Sequence, residues 1–193
     1  MLRTKLFLAS SIFALSTFAN ATVIDFNDLS HDEYYHAFNS INSNGYIINN
    51  DSLGDERLGV WGANSDFQAD TGHAAVFVNY SGSKTSIELA NKSLFNFNSI
   101  DLADVFNQGE TGSITFSFFS KLGTSYETVV FDSAKGLQTA IFNKTDLTKV
   151  SWAGANSQFD NIVTTPVPEP ETYALLGLGL VSVWVSRRRK QIR

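Results

Sequence analysis

The sequence predicts an all-β fold, an antiparallel β-sandwich of jelly-roll type, with an N-terminal signal helix and a short C-terminal hydrophobic helix. Three observations predict it. Apolar and polar residues alternate at period two in short runs, and Asn, Ser, Asp and Gly clusters separate those runs. The chain of 193 residues also holds 16 phenylalanines and no cysteine, so its fold must hold through its core or through bound metal rather than by disulfides.

Residues 1–21 read as a secretory signal peptide. Arg3 and Lys5 open it, residues 6–18 carry no charge, and Ala19 and Ala21 place small side chains where signal peptidase reads them. "TVIDF" from Thr22 is then the first strand, and "LSHDEYYHAF" is either one helical turn or a loop. "GYIINN" and "RLGVWG" are short strands, while "AAVFVNY" and "TSIELA" flank a hairpin-like loop at Ser81, Gly82, Ser83 and Lys84. "NKSLFNFNSIDLADVFN" reads as strand because Phe95 and Phe97, then Ile100 and Leu102, alternate by two. In "GSITFSFFS", Ile114, Phe116 and Phe118 face one side and Ser113, Thr115 and Ser117 the other. "YETVVFD" and "GLQTAIF" turn at Ala134, Lys135 and Gly136, and "KVSWAG" and "QFDNIVT" complete an ectodomain over residues 22–165.

Residues 166–172 form a proline-rich linker, which ends the last strand. Residues 173–186 are 14 positions without a charge. A helix of that length rises about 21 Å, short of the about 30 Å hydrocarbon core. Arg187, Arg188, Arg189 and Lys190 follow and would hold the end on the cytoplasmic side. Residues 173–193 therefore read as a short transmembrane sorting helix with a basic tail, a temporary membrane stop.

The whole chain has a net charge of −5, but seven bases and 17 acids lie in residues 22–165, so the exported part carries −10. Such a domain repels nucleic acid. Without cysteine, thiol catalysis, iron–sulfur clusters and Cys-ligated zinc are excluded. Asp25 and Asp160 lie in the first and last strands; if these are neighbours, the two could help to ligate a structural Ca²⁺. A sugar site would need aromatic platforms beside amides. Trp61 and Trp152 are the chosen ligand-binding candidates, with Tyr34, Tyr35, Tyr80, Tyr126, Asn64 and Asn156 in reserve. Catalysis finds little support. His31, His36 and His73 lack zincin or Ser-His spacing, and Asp55 and Glu56, as strand neighbours, would face opposite sides.

Pro168, Glu169 and Pro170, then "ALLGLGL" and "RRRK", resemble the PEP-CTERM sorting signal, a segment also named the ice-binding protein C-terminal domain. The resemblance covers about residues 166–190. It implies a Gram-negative bacterium that forms biofilm or exopolysaccharide, an exosortase that cuts near the tripeptide, and transient residence at the inner membrane before release to the surface or matrix. "VIDFNDL" and "FDNIVT" are similar to the first and last strands of the β-sandwich ectodomains often joined to that signal. The function expected is a non-catalytic, exported protein that binds carbohydrate or exopolysaccharide. The alternatives are a structural or adhesive matrix component without a defined ligand and, remotely, a polysaccharide hydrolase.

Overall fold

Short alternating runs form strands wherever one face can be buried. In chain order these are β1 (Thr22–Ile24), β2 (Tyr35–Phe38), β3 (Ser40–Ser43), β4 (Tyr46–Asn50), β5 (Leu58–Trp61), β6 (Val76–Val78), β7 (Lys84–Leu89), β8 (Phe95–Asp104), β9 (Ser113–Ser120), β10 (Gly123–Val130), β11 (Gln138–Ala153) and β12 (Ser157–Pro166). The computed structural model describes residues 20–52, 58–70, 72–78, 82–153, 157–168 and 177–182. The chain divides into two units, Ala19–Val167 and the two chain ends, Met1–Phe18 with Pro168–Arg193. Of the chain ends, residues 177–182 are helical, and among the described residues no helix is long and apolar enough to cross a membrane. The expected signal helix, Ala19, Glu169, Pro170, Arg187, Arg188, Arg189 and Lys190 lie outside the described residues, whereas Ala21 is exposed.

The strands run in the order β2-β5-β6-β12-β8-β11-β7-β4-β3, with β1 on β12, β9 on β11 and β10 on β9. Each described pairing is antiparallel. β11 joins the two layers of the sandwich. Its first half pairs with β8, from Gln138 opposite Leu102, and its last residues pair with β7 and β9, Val150 lying opposite both Ile87 and Phe118. Between these halves the register slips, and Asn143 and Asp146 adopt φ of 50° and 55°. Such bulges bend a strand, and here they carry it from one layer to the other.

The inner faces hold the core. Phe95, Phe97, Ile100, Leu102, Ile114, Phe116 and Phe118 are all buried, as their alternation predicts. The break in phase between Phe97 and Ile100 is matched by a bulge in β12 at Asn161, whose φ is 45°. Rings interlock across the layers, Phe116 with Phe142 at 4.7 Å and Trp152 with Phe159 at 5.2 Å between centroids.

Three local expectations change, and one strand had no counterpart among them. "LSHDEYYHAF", residues 29–38, is loop as far as Tyr34 and strand β2 from Tyr35, and the 3-10 turn at Asn27–Leu29 precedes it except for Leu29, so the loop reading holds for its first half and neither reading gave the strand. β6 and β7 are not a hairpin, because β6 pairs with β5 and β12, and β7 with β4 and β11. The two runs "GLQTAIF" and "KVSWAG" are one bent strand. β3, the polar "SINS", carries a single buried residue, Ile41, which leaves little alternation to read.

Candidate functional site

β5 is buried along its whole length and ends at Trp61, which delivers that indole to one end of the sandwich. Trp61 is only 8% exposed. Its ring stacks on Phe77 at 4.4 Å and 16°, and its Nε1 donates to the Val105 carbonyl at 2.9 Å. With one face covered and its donor engaged, Trp61 is the base of an aromatic layer rather than the platform its sequence suggested. Tyr34, Tyr35, Phe67 and Phe106 surround it, with ring centroids 5.5, 6.3, 5.3 and 6.2 Å away. Tyr34 is 66% exposed and Phe106 44%, so solvent meets these rings and not the indole.

Two hollows flank a ridge made by Asn64, Ser65 and Asp66. The first, about 370 Å³, lies between Tyr34 and Phe67 and is lined also by Asp32 and Glu33. The second, about 630 Å³, is lined by Gln68, Asn107, Gln108 and Lys135. Both volumes fall within the about 300–1,000 Å³ of small-molecule sites. Exposed Asn64 and the Oε1 of Gln108 carry no recorded hydrogen bond among the described residues, while Gln108 Nε2 donates to the Phe106 carbonyl at 2.9 Å. Aromatic faces beside amides with spare capacity suit a polar ring with an apolar face.

Buried polar side chains hold these loops in place, and none of them was picked out from the sequence. Gln158, fully buried on β12, accepts from the Ala69 amide at 3.1 Å. Its Nε2 donates to the carbonyls of Phe67 (2.6 Å), Val105 (3.0 Å) and Asp104 (3.2 Å). Gln68 Nε2 donates to the Trp61 carbonyl at 3.0 Å, and Gln68 Oε1 accepts from the Ala75 amide at 3.1 Å. Asn107 Nδ2 donates to the Gln68 carbonyl and its Oδ1 accepts from the Gly136 amide. Loop 27–34 docks through main chain, the Gly62 and Ala63 amides donating to the carbonyls of Tyr34 and His31 at 3.0 and 2.8 Å. A Cβ on Gly62 would collide with the Glu33 carbonyl oxygen, so a side chain there displaces that loop.

Asp104 organises the turn that carries Phe106. Its Oδ1 accepts from the amides of Phe106 and Gln108, at 3.1 and 3.0 Å, and its Oδ2 from those of Gly109 and Glu110, at 2.9 and 3.3 Å. Asp104→Asn is expected to lower stability by about 1–3 kcal/mol, since an amide NH₂ would then face two N–H donors. Urea unfolding checks this; a midpoint equal to wild type would refute the capping role.

The other candidates are dispersed. Trp152 is 1% exposed within the core, its ring against Phe116 and Phe159, so no ligand can reach its face. Tyr80, Asn156, Asp55 and Glu56 lie outside the described residues. β1 and β12 do pair, Ile24 opposite Ile162, as the calcium expectation required. Asp25 is nevertheless exposed, whereas Asp160 is fully buried with neither carboxylate oxygen in a full hydrogen bond. Burial is the chief cause that raises the Asp160 pKa to about 7. The facing Asp70 raises it further, while the amides of Asn161 and Phe26 oppose the shift. Among the described residues no three His, Asp or Glu side chains converge on one point. Calcium takes six to eight oxygens, so two carboxylates alone do not make its cage.

No curated protein matches this chain. Among solved structures it is similar to CBM32 of AlyQ, solved in complex with 4,5-unsaturated mannuronic acid, at 13% identity and a TM-score of 0.39 over 67% of this chain and 97% of that one. It is also similar to BiXyn10A CBM1 in its apo form, at 10% identity and a TM-score of 0.37 over 72% of this chain and 99% of that one. Residues 166–190 match the model of the PEP-CTERM protein-sorting motif. That motif implies export and processing by an exosortase. The chain is thus a β-sandwich that carries the PEP-CTERM protein-sorting motif at its C-terminal end.

Proposed function

We propose that the protein is a non-catalytic saccharide-binding module, sorted to the cell surface or extracellular matrix, whose ligand is a matrix exopolysaccharide. The observation that carries this reading is the layer of exposed rings over Trp61, Tyr34 and Phe106 above all, beside the Asn64 amide and the Oε1 of Gln108. Pyranose rings present C–H faces that pack on aromatics and hydroxyl edges that need amides, and one surface here offers both. Signal peptidase would remove residues 1–21 and an exosortase would act near Pro168, Glu169 and Pro170.

Affinity electrophoresis against matrix polysaccharide tests the site. Tyr34→Ala and Phe106→Ala are each expected to weaken binding about tenfold or more, with melting temperature within about 2 °C of wild type because both rings are exposed. Retention unchanged in both variants would remove the site. Trp152→Ala makes a poor test, since opening a core cavity costs about 3–5 kcal/mol and confounds binding with folding.

One observation favours the adhesive reading. Among the described residues β10 pairs with β9 alone, and it exposes Tyr126 (70%) and Val130 (67%) along an edge of eight residues. Self-association abolished by Val130→Lys, with no polysaccharide bound, would favour an adhesive matrix component.

A further inference from the structure

β12 turns two buried polar side chains towards the loop that carries Phe67, and only one of them is satisfied. Phe159 packs into the core against Phe26 and Trp152, so its neighbours Gln158 and Asp160 share the opposite face of the strand. Both are fully buried. Gln158 spends its amide on the main chain around it, Phe67 and Ala69 included. Asp160 keeps both carboxylate oxygens buried, neither of them in a full hydrogen bond. What faces it is a second carboxylate, Asp70, the residue after Ala69. Asp101, opposite Asp160 in register on β8, accepts from Thr139 and Asn161 and brings no positive charge. Among the described residues no recorded ion pair reaches Asp160, and Asp70 has only the largely exposed His73, at 3.4 Å.

We infer that Asp70 and Asp160 chelate a calcium ion, and that this ion clips the loop carrying Phe67 to β12. A buried carboxylate without donor or counter-ion is among the costliest groups a fold can hold, and a second carboxylate facing it adds repulsion. A divalent cation between the two removes both penalties at once. The pair differs from the one expected from the sequence, because Asp25 is exposed and Asp70 takes its place. Carboxylates bind calcium through one oxygen or two. The Asp70 side chain is 24% exposed, so water reaches the ion from that side and completes its six to eight oxygens. Magnesium suits the place less, since it gives up water reluctantly and Asp160 is closed to solvent. Gln158 already ties Phe67 and Ala69 to the strand. An ion at the next residue would fix the loop at a second point, and with it the Phe67 ring against Trp61. The inference stands whether or not the hollow beside Phe67 takes a sugar.

Calorimetry and thermal unfolding of the chelator-treated full chain test this with calcium, with magnesium, and with the variants Asp70→Asn and Asp160→Asn. Wild type is expected to bind a single calcium per chain. Calcium at about a hundredfold excess over Kd should raise Tm by about 5 °C or more, and chelator should reverse the rise. Each variant should bind calcium about tenfold or more weaker. Both variants should fold, since Asp70 is partly exposed and an amide at position 160 keeps the shape while removing the buried charge. Calcium should also slow amide exchange across residues 66–70 in wild type and leave it unchanged in Asp160→Asn. No stoichiometric calcium binding, or binding as tight as wild type in both variants, would overturn the site. Magnesium as effective as calcium would overturn the choice of ion. Calcium bound without slower exchange in residues 66–70 would overturn the clip.

Discussion

Gln158→Ala is expected to destabilise the domain by about 3–5 kcal/mol. The side chain is fully buried and makes four hydrogen bonds, to Ala69, Phe67, Val105 and Asp104. Truncation leaves the Ala69 N–H and at least two carbonyls without partners, and each orphaned group costs about 1–3 kcal/mol, less what water entering the gap restores. Gln158→Glu is the sharper variant. It keeps the acceptor for Ala69 but sets a carboxylate against three carbonyl oxygens, so a loss as large as that of alanine is expected despite its near-identical shape. Urea midpoints for the two variants check this, and losses below about 1 kcal/mol in both would show that the loops hold without Gln158. The proposed saccharide site should weaken in both, because the loops that carry Phe67 and Phe106 share this anchor.

The second large effect is a dependence of stability on pH through Asp160. Its pKa rises from 3.8 to about 7 in the folded protein, chiefly by burial and further by Asp70. In the unfolded chain it returns to the ordinary carboxylate value. Between about pH 4 and 7 the folded state therefore keeps a proton that the unfolded state has released, so stability falls as pH rises and levels off above 7. This group is expected to make the protein about 2–4 kcal/mol less stable at pH 8 than at pH 4, and Asp160→Asn should abolish that part of the slope. Unfolding free energies at several pH values test it; identical slopes in variant and wild type would refute it. Calcium enters the same experiment. If millimolar calcium stabilises wild type at pH 8 and a chelator reverses the gain, a cation replaces the proton between Asp70 and Asp160.

Much of the sandwich was legible because its strands alternate cleanly. Phe95 and Phe97, then Ile114, Phe116 and Phe118, announce a buried face without reference to any other part of the chain. The pairing of first and last strands, which the sequence left as a condition, is present, Val23 opposite Val163. What local pattern could not convey was which run is continuous with which. β11 hides its bend at Asn143 and Asp146, where a left-handed residue looks like any loop asparagine or aspartate. The site was half legible. Tyr34, Tyr35, Trp61 and Asn64 were on the page, but aromatic identity says nothing of burial, so Trp61 and Trp152 were preferred to the exposed Tyr34. Gln68, Asp104 and Gln158 gave no signal, because their partners are fixed by tertiary structure. Gln158 bonds to Phe67 across 91 residues of sequence.

β12 has a consequence in the language of force. Its C-terminal end stays fastened to the sandwich through Pro166 opposite Phe95 and through the Val167 amide, which donates to the Leu94 carbonyl at 2.9 Å. The sorting tripeptide begins at the very next residue, Pro168. At its other end the same strand carries Gln158, which holds the loops of the ligand hollows. A molecule fixed at its C-terminus and pulled by a polysaccharide would transmit tension along this one strand, flanked by β6, β8 and β1. Its hydrogen bonds with β8 lie across the line of pull and would share the load in shear, rather than opening one at a time like a zipper.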